Sequence, residues 1–269
     1  MAKKYNNVLL KISGEILAGD STSTFDNSIS KQIVDDITRV KKSGINLAVV
    51  VGGGNIIRGV NYRDFSLAKT SADHMGMLGT IINGVYLKNL LLNNGIKSVV
   101  YSSFMIPGIT KNFDHEAAKE AMNNGHVVIL VGGTGNPYFT TDTTAVLRAL
   151  ELECDVLLKG TKVDGVYDKD PEKYSKAKKF SKLDYNYVIN NNLKIMDMTS
   201  IIMAEEANLP IIVFSIKKRD ELKKVIEKKA EFTIISNWGI KMADEFNLQD
   251  FSRRMDGAIN SLKGEFSGL

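Results

Sequence analysis

The chain has 269 residues, 43% hydrophobic and 25% charged, and its 35 basic and 31 acidic side chains leave a net charge of +4. This is an ordinary globular composition with enough chain for one large core, and no basic block is dense enough to argue for nucleic acid. A lone cysteine, Cys154, excludes an internal disulfide and fits a reducing cytosol, while His74, His115 and His126 show no metal-ligand spacing.

In chain order, residues 8–13 predict a buried strand that stops in a loop at Gly14. The apolar stretch there is broken by Lys11 and has no cleavage-like end, so no signal peptide is expected. Residues 28–42 predict an amphipathic helix with Ile29, Ile33, Ile37 and Val40 on one stripe, capped by Gly44. An interior strand follows at 47–51; the apolar run around it holds Gly52, Gly53 and Gly54 and cannot span a bilayer. Thr70 or Ser71 is the expected cap of a long helix to Asn93. Then come a strand at 97–101, a helix at 114–124, a strand at 127–131, a helix at 142–152 and a strand at 156–158, with Cys154 as a packed core thiol. Residues 162–168 read as a turn or short hairpin around Asp164-Gly165. Helices at 184–190 and 200–207, a strand at 211–214, a helix at 220–228 and a strand at 232–235 complete the pattern. Such alternation specifies an α/β three-layer sandwich with a mostly parallel central sheet. The expected domains are 1–238 and a helical C-terminal extension, 239–269, with Leu248, Phe251, Met255, Ile259 and Leu262 on one stripe.

Four strand ends carry unusual chemistry: Lys11 to Gly14, Gly52 to Asn55 with Arg58, Gly132 to Asp142, and Lys159 to Thr161. In open α/β sheets ligands bind beyond the carboxyl ends of strands, so these loops point to one site. Glycines there let backbone N–H groups approach a phosphate; the plainer alternative is tight strand–helix packing. There is neither a G-x-x-x-x-G-K-[ST] string nor, at Gly52 to Arg58, a G-x-G-x-x-G spacing, which tells against P-loop and dinucleotide classes. Lys11 and Lys159 end apolar strands, where they either snorkel or converge on a phosphate. Arg58 suits a bidentate phosphate grip or is a surface arginine. Asp142 is a helix cap or a site carboxylate, Asp197 is paired or solvated, and Asp73 suits the helix dipole or ribose hydroxyls.

In order, the strings Leu9-Leu-Lys-Ile-Ser-Gly-Glu15, Val51-Gly-Gly-Gly-Asn-Ile-Ile-Arg-Gly59, Asp73-His-Met-Gly-Met77, Gly133-Thr-Gly-Asn-Pro-Tyr-Phe-Thr-Thr-Asp142, Leu158-Lys-Gly-Thr-Lys-Val-Asp-Gly-Val-Tyr167 and Met196-Asp197 resemble the bacterial uridylate (UMP) kinase family. The likeness spans residues 5–236. It implies the amino-acid-kinase fold, a cytoplasmic homohexamer without membrane or nucleic-acid partners, and transfer from ATP with Mg2+ to UMP in pyrimidine nucleotide biosynthesis. It also implies allosteric regulation, with GTP as activator and UTP as inhibitor. The segment Gly19 to Asp26 departs from the glycine-richer one that relatives use near the GTP effector site, which tells against GTP activation here.

By matching position, Lys11, Ile12, Ser13, Gly14, Gly54, Arg58, Thr161, Tyr167 and Asp170 would contact ATP. Gly53, Asp73, Thr134, Gly135, Asn136, Pro137, Tyr138, Phe139, Thr140 and Thr141 would bind UMP. Lys11 and Lys159 would stabilise the transferring phosphoryl group while Asp142 and Asp197 orient them and the magnesium shell; the metal itself would be held mainly by ATP phosphates, with no direct protein ligand. The extension resembles the opening helix of ribosome recycling factor. Two rivals stay open. An acetylglutamate or aspartate kinase would need a carboxylate pocket in place of the 133–142 string. A non-catalytic nucleotide sensor would not need Lys11, Lys159, Asp142 and Asp197 intact.

Overall fold

Strands that are apolar at nearly every position need cover on both faces, and this chain supplies helices for both. The computed structural model describes residues 5–19, 23–57 and 67–237. The first half runs β1 (Asn7–Ile12), α1 (Gly14–Ala18), α2 (Asn27–Lys42), β2 (Asn46–Val51), α3 (Lys69–Asn93), β3 (Ser98–Ser102), β4 (Lys111–Asn112), α4 (His115–Asn123) and β5 (Val127–Val131). The second half runs α5 (Thr141–Glu151), β6 (Val156–Thr161), β7 (Val166–Tyr167), β8 (Lys179–Phe180), β9 (Lys182–Leu183), α6 (Tyr185–Asn190), α7 (Met198–Glu206), β10 (Ile211–Ser215), α8 (Glu221–Ile226) and β11 (Thr233–Ile235). The chain separates into units 1–237 and 238–269. The second unit, and with it the expected tail helix, lies outside the described residues.

The central sheet has nine strands in the order β4-β3-β5-β2-β1-β6-β10-β11-β9. Its pairs are parallel except β10 with β11. Alternation splits each central strand between two cores. Val8, Leu10 and Ile12 of β1 join Leu47, Val49 and Val51 of β2 in a core with α1, α2, α3 and α8. Leu9, Ala48, Val50 and Leu157 join the opposite core, with α4, α5, α6 and α7. Cys154 is buried in that second core, and burial pushes its thiol up to about 12. Both layers are present, as the sequence predicts.

Several local expectations are corrected. Residues 14–18 are not a loop but a one-turn helix, α1, started from an extended Ser13. The hairpin expected within 162–168 is instead β7 paired antiparallel with the distant β8, Val166 opposite Phe180. Thr233 explains the shift: its hydroxyl accepts the Val166 N–H and donates to the Phe180 carbonyl, pinning both strands beside β11. Neither Thr70 nor Ser71 caps α3, which starts at Lys69 from an extended Ala68.

By length and composition alone α3 would cross a membrane. Its inner face, however, carries buried Thr80 and Asn83, whose polar groups are spent on neighbouring loops. Asn83 and Asn55 exchange amide hydrogen bonds of 2.6 and 3.1 Å, and Asn83 also donates to the Gly52 carbonyl at 2.6 Å. Thr80 accepts the Gly132 N–H at 2.8 Å. Two glycine loops from different strands are thereby tied to one helix. Replacing Asn83 with Leu takes the donor from Asn55 Oδ1 and from the Gly52 carbonyl, both buried, while Asn55 Nδ2 keeps its bond to the Thr24 carbonyl. Urea unfolding should show a loss of about 2 kcal/mol, the usual cost of orphaned buried polar groups.

Candidate active site

Lys11 and Lys159 are direct register partners on the adjacent parallel strands β1 and β6, two positions beyond the Leu9–Leu157 pair. Period two then puts both lysines on the α5 side of the sheet, with Leu9 and Leu157 beneath them. Their side chains are only 8% and 13% exposed, so each charge needs a partner.

That partner is Asp142. Its Oδ1 lies 2.7 Å from Lys11 Nζ in an ion pair, and its Oδ2 accepts a 2.8 Å hydrogen bond from Lys159. Burial works to raise the Asp142 pKa, but the two ammonium groups outweigh it and hold the carboxyl below its usual range. Burial, reinforced by Lys11, lowers the Lys159 pKa; Asp142 opposes that without reversing it. Lys159 also donates to the Ile195 carbonyl.

The sequence leaves open whether Asp142 is merely a helix cap. It is not: Thr140 caps α5, accepting from the Asp142 and Thr143 N–H groups, and this leaves the Asp142 carboxylate to the lysines. Asp197 is paired, though with neither lysine. It accepts from the hydroxyls of Thr140 at 2.6 Å and Thr143 at 2.9 Å, and from the Ser200 N–H at the start of α7. Asp197 therefore orients α5, and its charge also acts directly on Lys159. These threonine and amide partners carry no periodic signal, which is why the sequence alone does not reveal them.

Two cavities adjoin this cluster, one through Lys159 and the other through the residues that precede Asp142. The first, about 270 Å3, is lined by Gly53, Gly54, Asp73, Gly133, Phe139, Thr140 and Thr141 among others. Asp73 accepts both from Lys69 and from the Tyr138 N–H, at 2.9 and 2.8 Å. Its burial would raise its pKa, but these donors hold it below the ordinary value. Residues 134–138 do not line this cavity; Tyr138, with φ of +73°, is the one that turns back toward Asp73. The second cavity, about 630 Å3, is lined by Lys159, Thr161, Tyr167 and Asp170, and by residues 191–195. Lys159 thus faces the second cavity, while Asp142 follows directly on two residues of the first.

Packing accounts for some of the loop glycines and not for Gly54. A Cβ on Gly53 would lie 2.4 Å from the Gly76 carbonyl, and one on Gly14 would lie 2.5 Å from Asn55, so both are packing glycines. Gly54 alone of the three has ordinary room, 3.4 Å to Glu15, and it lines the first cavity rather than the second. Ile12 points its side chain into the core opposite Lys11 and can offer a ligand only backbone. Ser13 follows the end of β1 and Gly14 opens α1. Arg58 lies outside the described residues.

The amino acid kinase family profile matches residues 6–215. A uridylate kinase of Rickettsia bellii is 47% identical over 232 residues, which cover 86% of this chain and 97% of that one. A UMP kinase structure from Ureaplasma parvum superposes with a TM-score of 0.83 at 35% identity, covering 87% of this chain and all of that one. Another, from Bacillus anthracis, gives 0.84 at 32% identity over 87% of this chain and 97% of that one. The chain belongs to the amino acid kinase family and, within it, to the uridylate kinases.

Proposed function

We propose that the first cavity takes UMP, the second takes ATP, and the γ-phosphoryl group passes directly between them over the Lys11–Asp142–Lys159 cluster. The observation that carries this reading is the lysine pair itself, two buried cations side by side on one carboxylate, with Lys159 lining the second cavity and Asp142 following directly on Thr140 and Thr141 of the first. An oxygen of the UMP phosphate forms the new bond to the γ-phosphorus as the bond to the β–γ bridging oxygen breaks. ADP departs with that electron pair. The UMP phosphate is already anionic near neutral pH, so the reaction asks for alignment and charge neutralisation more than for a general base. Lys11 and Lys159 supply the charge, and Asp142 keeps both pointed at the transferring group.

Within this reading Gly53, Asp73 and residues 139–141 hold UMP, with Asp73 placed for ribose hydroxyls, and 134–138 are assigned to UMP by sequence match alone. Thr161, Tyr167 and Asp170 line the ATP cavity, while Ile12, Ser13, Gly14 and Gly54 are assigned to the ATP phosphates by sequence match, Gly54 from the first cavity, which it lines. Arg58 is assigned to both phosphates by sequence match alone. Asp142 and Asp197 have their oxygens engaged by ammonium, hydroxyl and amide donors, so Mg2+ fits best on the ATP phosphates. Bound there, it adds positive charge against the phosphate oxygens. The homohexamer rests on the family; the exposed apolar stripe on α3, Leu78, Ile82, Val85 and Leu92, supports only a contact between copies. Cytoplasmic location, pyrimidine biosynthesis and inhibition by UTP rest on the family, as does 1–238 as the catalytic domain, while the altered 19–26 segment tells against activation by GTP.

A coupled ADP-release assay with Mg-ATP and UMP, CMP, dUMP or N-acetylglutamate tests the reaction. Turnover should be confined to UMP, and Lys159→Ala should lower kcat by about 100-fold or more, the usual cost of one preorganised charge. Turnover with N-acetylglutamate, or none with any acceptor, would contradict the reading.

The lowered Lys159 pKa also predicts a pH dependence. As pH rises through that value, below the ordinary lysine range, Lys159 loses its charge and kcat/KM falls. Lys159→Arg, which does not deprotonate, should be slower overall but should move this alkaline limb to higher pH. An unmoved limb would assign the titration to another group. On the acid side Asp142 stays ionised, and its contribution to stability disappears only as pH falls through its depressed value.

A further inference from the structure

The loop after β5 bends through three glycines with positive φ, Gly132 at +78°, Gly133 at +62° and Gly135 at +85°. Glycine reaches these angles freely and leaves them as freely, so the loop's shape has to be held from outside. Thr80 holds one end, at the Gly132 N–H. Ser103 holds the middle: its hydroxyl donates to the Gly133 carbonyl at 2.7 Å, and a Cβ on Gly135 would lie 3.2 Å from its own Cβ.

Behind Ser103 stands Arg148, on α5 and only 7% exposed. Its Nη2 donates to Ser103 Oγ at 2.9 Å, its Nη1 pairs with Glu151 at 2.6 Å, and its guanidinium stacks 3.6 Å over Phe113. A buried arginine is costly unless its donors are used, and this one uses them on a short relay ending at Gly133, which lines the first cavity. The same helix carries Asp142.

We propose that Arg148 is a positioning residue for the acceptor nucleotide, acting through Ser103 to fix the Gly133 carbonyl and the curve of the loop that receives UMP. The proposal rests on the first cavity being the UMP site. Because α5 also carries the carboxylate that gathers the lysines, Arg148 sets acceptor loop and phosphoryl site in one frame. ATP, in the second cavity, is untouched by it.

The test is steady-state kinetics of the full chain, with UMP and ATP varied separately, for Arg148→Met, Arg148→Lys, Ser103→Ala and the Arg148→Met/Ser103→Ala double variant. Arg148→Met should raise KM for UMP about tenfold, the worth of one charge-assisted hydrogen bond, with KM for ATP moving less than about twofold. Arg148→Lys, which keeps the charge but loses the two-armed grip, should recover part of this. The double variant should be no worse than Arg148→Met, since both act along one path. Equal rises in both KM values, or a lowered Tm with KM for UMP unchanged, would overturn the proposal and leave Arg148 a packing residue. Should Arg148→Met fail to fold, Ser103→Ala decides: a selective rise in KM for UMP supports the relay, and none overturns it. Wild-type chain without UMP turnover would remove the underlying reading and the proposal together, before any variant is compared.

Discussion

Two ammonium groups at one register of adjacent parallel strands repel each other, and burial strips away the water that would screen them. At the strand spacing of about 4.8 Å, two unit charges cost about 3 kcal/mol even at an effective dielectric of 20. Lys11 and Lys159 are held in this arrangement because Asp142 sits over both. Much of the surrounding architecture can be understood as what it takes to bring one carboxylate to that point. The sheet supplies the register, the period of the strands supplies the face, and α5 supplies the carboxylate.

The helix is accordingly fixed along its length. Thr140 caps it, Asp197 binds Thr140 and Thr143 from the start of α7, and Arg148 anchors its far turns to Ser103 and Phe113. Asp197 has the same logic one step removed, a carboxylate whose oxygens are spent on orienting the element that orients the lysines. α3 does comparable work on the other face, tying Gly52 and Gly132 through Asn83 and Thr80. A site built for phosphate gains from such stiffness, because neutralising charge at fixed distances is most of what phosphoryl transfer asks of a protein.

The layers of this fold are legible in the sequence because the strands are continuously apolar and the helices between them periodic. So are Lys11 and Lys159, since a lysine at the end of such a strand is out of place unless something receives it. Less legible is everything that depends on a side chain meeting a loop from elsewhere in the chain. The Asn55–Asn83 exchange, Thr233 drawing β7 onto β8, and Arg148 reaching Ser103 span 28, 67 and 45 positions with no spacing rule to announce them. The glycines fall between these cases. Their clustering at strand ends is plain, yet only the fold separates Gly14 and Gly53, which allow close packing, from Gly54, which has room to face a ligand.

The central claim is that Asp142 serves the chemical step by holding two lysines on one phosphoryl group, rather than by binding either nucleotide. Single-turnover transfer from ATP to UMP by Asp142→Asn, measured beside equilibrium binding of each nucleotide, separates these possibilities. The account predicts transfer slowed by about 100-fold or more with both dissociation constants changed only a few-fold. Transfer at the wild-type rate, or a loss accounted for entirely by weakened binding, would contradict it.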